Sequence, residues 1–222
     1  MDKKKLIKVE EIVLGTTLFI FIGYGMYLKQ FKGYDAFQEY IREDGLIEYL
    51  TTLFLLFSSL VCIFRAFHYR KMKKPLWILT WILFALLFFF AAGEEISWGQ
   101  RLFGVKSSEF FLHNNIQGET NFHNLIVEGK NLNIMIFSRL MFLCLFIYFV
   151  FSRLLVWKIP FIHDLVEKFN LPLPGIQHIF IMLVSSFMVI LIQITRQSEL
   201  HELSFAFVFF MIFLNPARIS KE

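Results

Sequence analysis

Acids, an arginine and a histidine gather between Glu94 and His123, at spacings that suit either metal ligation or proton transfer. Glu119 and His123 are four residues apart in GETNFHN, and Glu199 and Glu202 are three apart in SELHEL. Each pair shares a face wherever its segment is helical, so each can present two ligands to one divalent cation. Oxygen and imidazole donors without thiolate suit zinc, manganese or iron, with geometry deciding among them. Glu119, His123 and Glu202 are therefore the candidate metal ligands. Glu94 and Glu95 are adjacent, roughly 100° apart around a helix, so one should point inward and the other face the following loop. Together with Glu48 and Arg101 they form the candidate catalytic group, with Arg101 holding an anion or one of the acids. A metal here would activate water for attack on an ester, amide or phosphoester. Without one, a carboxylate in apolar surroundings can serve as general acid or base.

Each candidate also has a purely structural explanation. Glu94 or Glu95 could pair with Arg101, Arg139 or Arg196 and tie helices together. Glu199, following Ser198, could complement a helix N-terminus, and Glu43 and Asp44 could do the same. Glu48 and Glu202 lie deeper in their apolar segments, where that explanation weakens. His123, beside Asn121 and Asn124, could be an ordinary loop histidine; the correctly spaced Glu119 argues for more.

The elements that must position these groups are membrane helices. The 222 residues are 57% hydrophobic and 18% aromatic, with 30 Phe, more apolar surface than a soluble domain of this length could cover. Roughly 20 apolar residues make a spanning helix, and six segments approach that: 12 to 30, 46 to 66, 75 to 93, 132 to 152, 175 to 195 and 200 to 217. The expected fold is a single all-α domain, a polytopic transmembrane bundle of about six helices. The first apolar run is expected to be retained rather than cleaved as a signal peptide. Lys29 to Asp44 and Trp157 to Phe169 should make short interfacial helices, the first with Tyr34, Phe37, Tyr40 and Ile41 on one side. The long polar segment Lys106 to Asn131, between spans three and four, carries spaced apolar residues and should form an interfacial or re-entrant outer cap.

Charge sets the orientation. MDKKKLIK, RAFHYRKMKK and ARISKE are basic and fall on one side of an even-numbered bundle, which should be the cytoplasm. That side then holds 14 Lys plus Arg against 6 Asp plus Glu, and the outer side 8 against 12. The net charge of +4 is thus an orientation signal and no sign of nucleic-acid binding. Glu43, Asp44, Glu48, Glu94, Glu95, Glu199 and Glu202 all fall at the outer ends of their spans, so acids from separate segments meet at one depth. Cys62 and Cys144 lie within apolar runs and act as small hydrophobes.

GEEISWGQRLFG, followed by QGETNFHN and preceded by EDGLIEYLTTL, resembles an uncharacterised group of bacterial multi-span membrane proteins over most of the chain. The resemblance implies an inner-membrane location and the importance of these motifs, and no reaction. Two better known families do not fit. Glutamate-dependent intramembrane proteases of the CAAX-processing kind need E-E-x-x-x-R and a later F-x-x-x-H. Here the arginine is Arg101, and no such motif follows it. Members of the alkaline ceramidase and progestin-receptor superfamily use seven spans and three zinc-binding histidines; here only His201 stands near the last span.

The leading expectation is an integral-membrane, metal-assisted hydrolase or transferase with an outer-facing site, acting on a lipid or lipid-linked substrate. The alternatives are a structural or assembly subunit of an envelope complex, with a membrane-protein partner, and a proton-coupled transporter. Acids at one end only do not describe a path across the bilayer, which disfavours transport.

Overall fold

The computed structural model describes residues 3–127, 130–131, 141–193 and 198–217. Long apolar runs free of proline become long helices: α1 (Lys3–Tyr27), continued by a wider π-helical turn at Leu28–Lys32, α3 (Leu46–Lys71) and α4 (Pro75–Glu95). Val9–Lys32, Leu46–Lys71 and Pro75–Glu95 are long and apolar enough to cross a membrane, with mean hydropathies of 1.5, 2.0 and 2.3. α4 opens on Pro75, where the missing N–H costs nothing because a first-turn amide has no helical partner.

The later helices are shorter. α7 (Met141–Phe146) runs through a π-helical turn at Ile147–Phe151 into α8 (Ser152–Lys158). α9 (Pro160–Phe169) then leaves at 110°. Pro160 causes the bend by forcing Ile159 into an extended conformation, φ −116° and ψ 103°. The expected fourth span, 132 to 152, lies partly outside the described residues. α10 (Ile176–Ile190) and α11 (Ser198–Leu214) have 15 and 17 residues, short of the roughly 20 that a spanning helix needs. The expected interfacial helix after α1 is α2 (Tyr34–Tyr40), with Phe37 and Ile41 fully buried and Tyr34 exposed.

α11 is the centre of the bundle. Leu200, Leu203, Phe207, Val208, Met211 and Ile212 have no exposed surface, the mark of a helix surrounded by others. Phe207 stacks on Phe54 of α3 with ring centroids 3.6 Å apart, and Phe213 meets Phe88 of α4 edge-on at 4.7 Å. Ser59 of α3 donates to the Ala85 carbonyl of α4 at 2.8 Å, fixing that pair. The outer helix faces are strongly apolar yet open: Phe64 is 71% exposed and Phe180 62%, as lipid-facing residues are.

Successive long helices run in opposite directions, which gives the bundle two chemically different ends. At the basic end, Arg65 donates to the Leu214 carbonyl at 2.8 Å and Trp77 to that of Glu167 at 3.2 Å. At the acidic end, the Lys29 ammonium donates to the Ile192 carbonyl and Tyr40 to that of Phe21. The acidic end is capped by a folded segment containing α5 (Gln100–Phe103), α6 (Glu109–Asn114) and a two-residue antiparallel pair, β1 (Ile126–Val127) with β2 (Lys130–Asn131).

Candidate functional site

The acidic end is built around the way the chain leaves α4. Ser97, Trp98 and Gly99 follow one another with φ of 47°, 55° and 73°. Glycine tolerates that left-handed region freely, whereas Ser97 and Trp98 should cost about 1–2 kcal/mol each. Local contacts hold them there. Ser97 Oγ donates to Glu119 Oε2 at 2.5 Å and accepts from Asn121 Nδ2 at 2.8 Å. Trp98 Nε1 donates to Glu94 Oε1 at 2.8 Å. The indole packs against Gly93, where a Cβ would sit 2.8 Å from the ring. GEEISWG is thus one structural unit in which the first glycine admits the tryptophan and the last completes the turn.

Side-chain amides take the place of regular secondary structure in the cap. Asn115 Nδ2 donates to the Asn121 carbonyl at 2.9 Å and to its Oδ1 at 2.8 Å, while Asn115 Oδ1 accepts the Gln117 and Glu119 amides at 2.9 and 3.3 Å. Gln100 Oε1 accepts the Thr120 amide at 2.7 Å and the Ser107 hydroxyl at 2.9 Å. GETNFHN is consequently a series of turns and no helix. The helical face expected to join Glu119 to His123 does not form, and the two side chains go to different partners.

The candidate residues divide into three sets. Arg101 gathers the first. Its Nη2 donates to Glu48 Oε1 at 2.8 Å and its Nη1 to Glu119 Oε1 at 2.7 Å. Asp44 Oδ1 lies 2.9 Å from Nε and Glu43 Oε2 3.8 Å from Nη1. Burial opposes the guanidinium charge, but Glu48, Glu119, Asp44 and Glu43 outweigh it and raise the Arg101 pKa. Arg101 therefore ties the start of α3 to the cap.

Glu94 forms the second set. It is buried, and its Oε2 accepts the amides of Phe122 at 2.6 Å and His123 at 3.2 Å, with His123 Nδ1 at 3.6 Å. Trp98 occupies its other oxygen. Glu94 thus faces the loop and anchors it.

The third set faces the bundle. Glu95 of α4 and Glu199 and Glu202 of α11 bring one carboxylate oxygen each to within 4.8 Å of one another, all three half-buried. Such close carboxylates repel unless a cation or shared protons lie between them. Glu48 acts electrostatically on Glu95 and His123 on Glu202, so the trio adjoins both other sets. Among the described residues this is the one group of three that could hold a metal, and it shares only Glu202 with the expected ligands Glu119, His123 and Glu202.

The structure adds Glu199, Ser97 and Asn115 to the site. Glu199 has a signal in the sequence, its three-residue spacing from Glu202. Ser97 and Asn115 have none, since their roles depend on a left-handed turn and on loop closure. Neither Arg139 nor Arg196, the other expected ion-pair partners, lies in the described residues. The chain matches no protein-family profile, no curated protein and no solved structure, so the chemistry of this site rests on its geometry.

Proposed function

We propose that this is an integral-membrane enzyme, a metal-assisted hydrolase or transferase with its site at the outer face of a bacterial inner membrane and both termini in the cytoplasm, acting on a lipid or lipid-linked substrate. The observation that carries the reading is the trio Glu95, Glu199 and Glu202, in which two helices supply three carboxylates to one point. Close-set oxygen donors suit a hard or borderline divalent cation such as zinc or manganese. The ion would supply Lewis acidity and an activated water. The protein's own contributions are distinct: Glu94 and Trp98 hold the loop over the trio, His123 stands beside it as a proton carrier, and Arg101 fixes the cap. Three helices long and apolar enough to cross a membrane support the setting, and completing them with the α7–α8 segment, α10 and α11 gives the six-span arrangement.

A second reading, a structural or assembly subunit, is favoured by one observation: Arg101 already engages Glu43, Asp44, Glu48 and Glu119, leaving those acids committed to the fold. Proteoliposomes made from total bacterial polar lipid, assayed by mass spectrometry with and without a chelator, separate the two. The enzyme reading predicts chelator-sensitive conversion of one lipid class, abolished in Glu95→Gln. Unchanged lipid under all conditions would favour the subunit reading.

A further inference from the structure

The opposite, basic end holds an open cleft of about 1470 Å³ between α1, α3, α4, α9 and the end of α11. Its hydrogen bonding is lopsided. Trp81 is 1% exposed, and among the described residues its Nε1 donor has no partner; the same is true of the buried Nδ2 donors of Asn170 and Asn215. All three residues line the cleft. Buried donors without acceptors are rare and costly.

The cations lining the cleft have no carboxylate counter-charge, although Arg65 also donates to the Leu214 carbonyl. The Arg65 guanidinium lies over the Trp81 ring at 4.9 Å, and the Lys74 ammonium over Trp77 at 5.0 Å. Among the described residues neither forms an ion pair with a carboxylate, and nor does Lys168. The acids on the cleft wall, in contrast, have partners. Glu11 Oε1 accepts from Gln177 at 3.0 Å, and Asp164 and Glu167 stand 3.5 and 3.9 Å from the nitrogens of His163. None of these carboxylates accepts from the three orphan donors or pairs with Arg65, Lys74 or Lys168 among the described residues, so both the donors and the cations are left to an anionic ligand.

We infer that this cleft binds a phosphate group, and specifically the phosphate of a lipid headgroup in the leaflet at the basic end. Tyr69, Trp77 and Trp81 form an aromatic wall, with Tyr69 edge-on to Trp77 at 5.1 Å. The cleft lies at the mouth of helices long enough to cross a bilayer, the depth at which headgroups sit. Its volume far exceeds a free phosphate and suits a headgroup with its glycerol.

The test uses the full chain in a maltoside detergent, titrated separately with short-chain phosphatidylglycerol below its micelle concentration and with inorganic phosphate, and read by native mass spectrometry. One saturable lipid adduct per chain is expected. It should weaken about 25-fold in Arg65→Gln/Lys74→Gln, because two cations near a headgroup each contribute about a factor of five. In Trp81→Phe, which keeps an aromatic ring but removes the Nε1 donor and the five-membered ring, it should weaken several-fold. Lys74→Gln alone, at an exposed position, checks that a loss is not misfolding. Saturable binding of phosphate alone, with the same sensitivity, would support the phosphate site and assign it to a soluble ligand. Absence of saturable binding to either probe, or binding indifferent to all the variants, would overturn the inference.

Discussion

Arg101 is one cation among four carboxylates, and it is 22% exposed. Removing a cation from such a setting leaves the largely buried Glu48 and Glu119 without the counter-charge they share. Arg101→Gln should therefore destabilise the protein by about 3 kcal/mol, as breaking a buried ion pair does. Arg101→Lys should not restore it, because an ammonium cannot reach Glu48 and Glu119 with two parallel N–H groups. Thermal unfolding in detergent measures both; a Gln variant as stable as the parent would remove Arg101 from its place in the fold. At this scale the sequence was informative where the rule was local. The angle between adjacent helical residues already separated Glu94 from Glu95, and the structure turns one to the loop and the other to α11. The pairing of Glu119 with His123 needed a helix that Asn115 and Asn121 replace with turns, and no local rule announces that. That Arg101 would hold one of the acids was legible; which acid was not, since among the described residues it engages Glu48, 53 residues away, and Glu119 and not the neighbouring Glu94 or Glu95.

Among the elements, the junction from Gly93 to Phe103 carries the most information per residue. Left-handed residues at Ser97 and Trp98 persist only because the surroundings over-determine them, and Gly93 is the part of those surroundings that a single methyl group would spoil. Gly93→Ala should push the indole off α4, break the Trp98 bond to Glu94, and lower stability by about 1–3 kcal/mol, the usual cost of overpacking. A Tm drop in detergent together with a change in Trp fluorescence checks this. An unchanged Tm would mean that Trp98 does not rest on Gly93. Helix boundaries were legible wherever apolar runs were long: the expected 46 to 66 and 75 to 93 fall within α3 and α4. The 15- and 17-residue helices near the C-terminus were harder to judge, since a central helix and a spanning helix are equally apolar and only burial separates them. The expected helix Trp157 to Phe169 is broken at Ile159, because Pro160 constrains the residue before it, so only its later part stands, as α9.

Across the whole molecule, charge is distributed by end. The acids that the sequence placed at one depth do meet at one end of the bundle, while Arg65, Lys74 and Lys168 line a cleft at the other. This segregation follows from alternating helix directions and was readable from the positions of Lys, Arg, Asp and Glu alone. The grouping of those acids required the packing of α11 against its neighbours, because Glu95 and Glu202 belong to separate helices and meet only in the assembled bundle. The central claim is that this meeting point holds a divalent cation. Its most direct test is elemental analysis of the full chain purified in mild detergent, offered zinc or manganese, beside Glu95→Gln/Glu202→Gln. The account predicts about one ion per chain in the parent and none in the variant. No ion in the parent, or equal amounts in both, would contradict it.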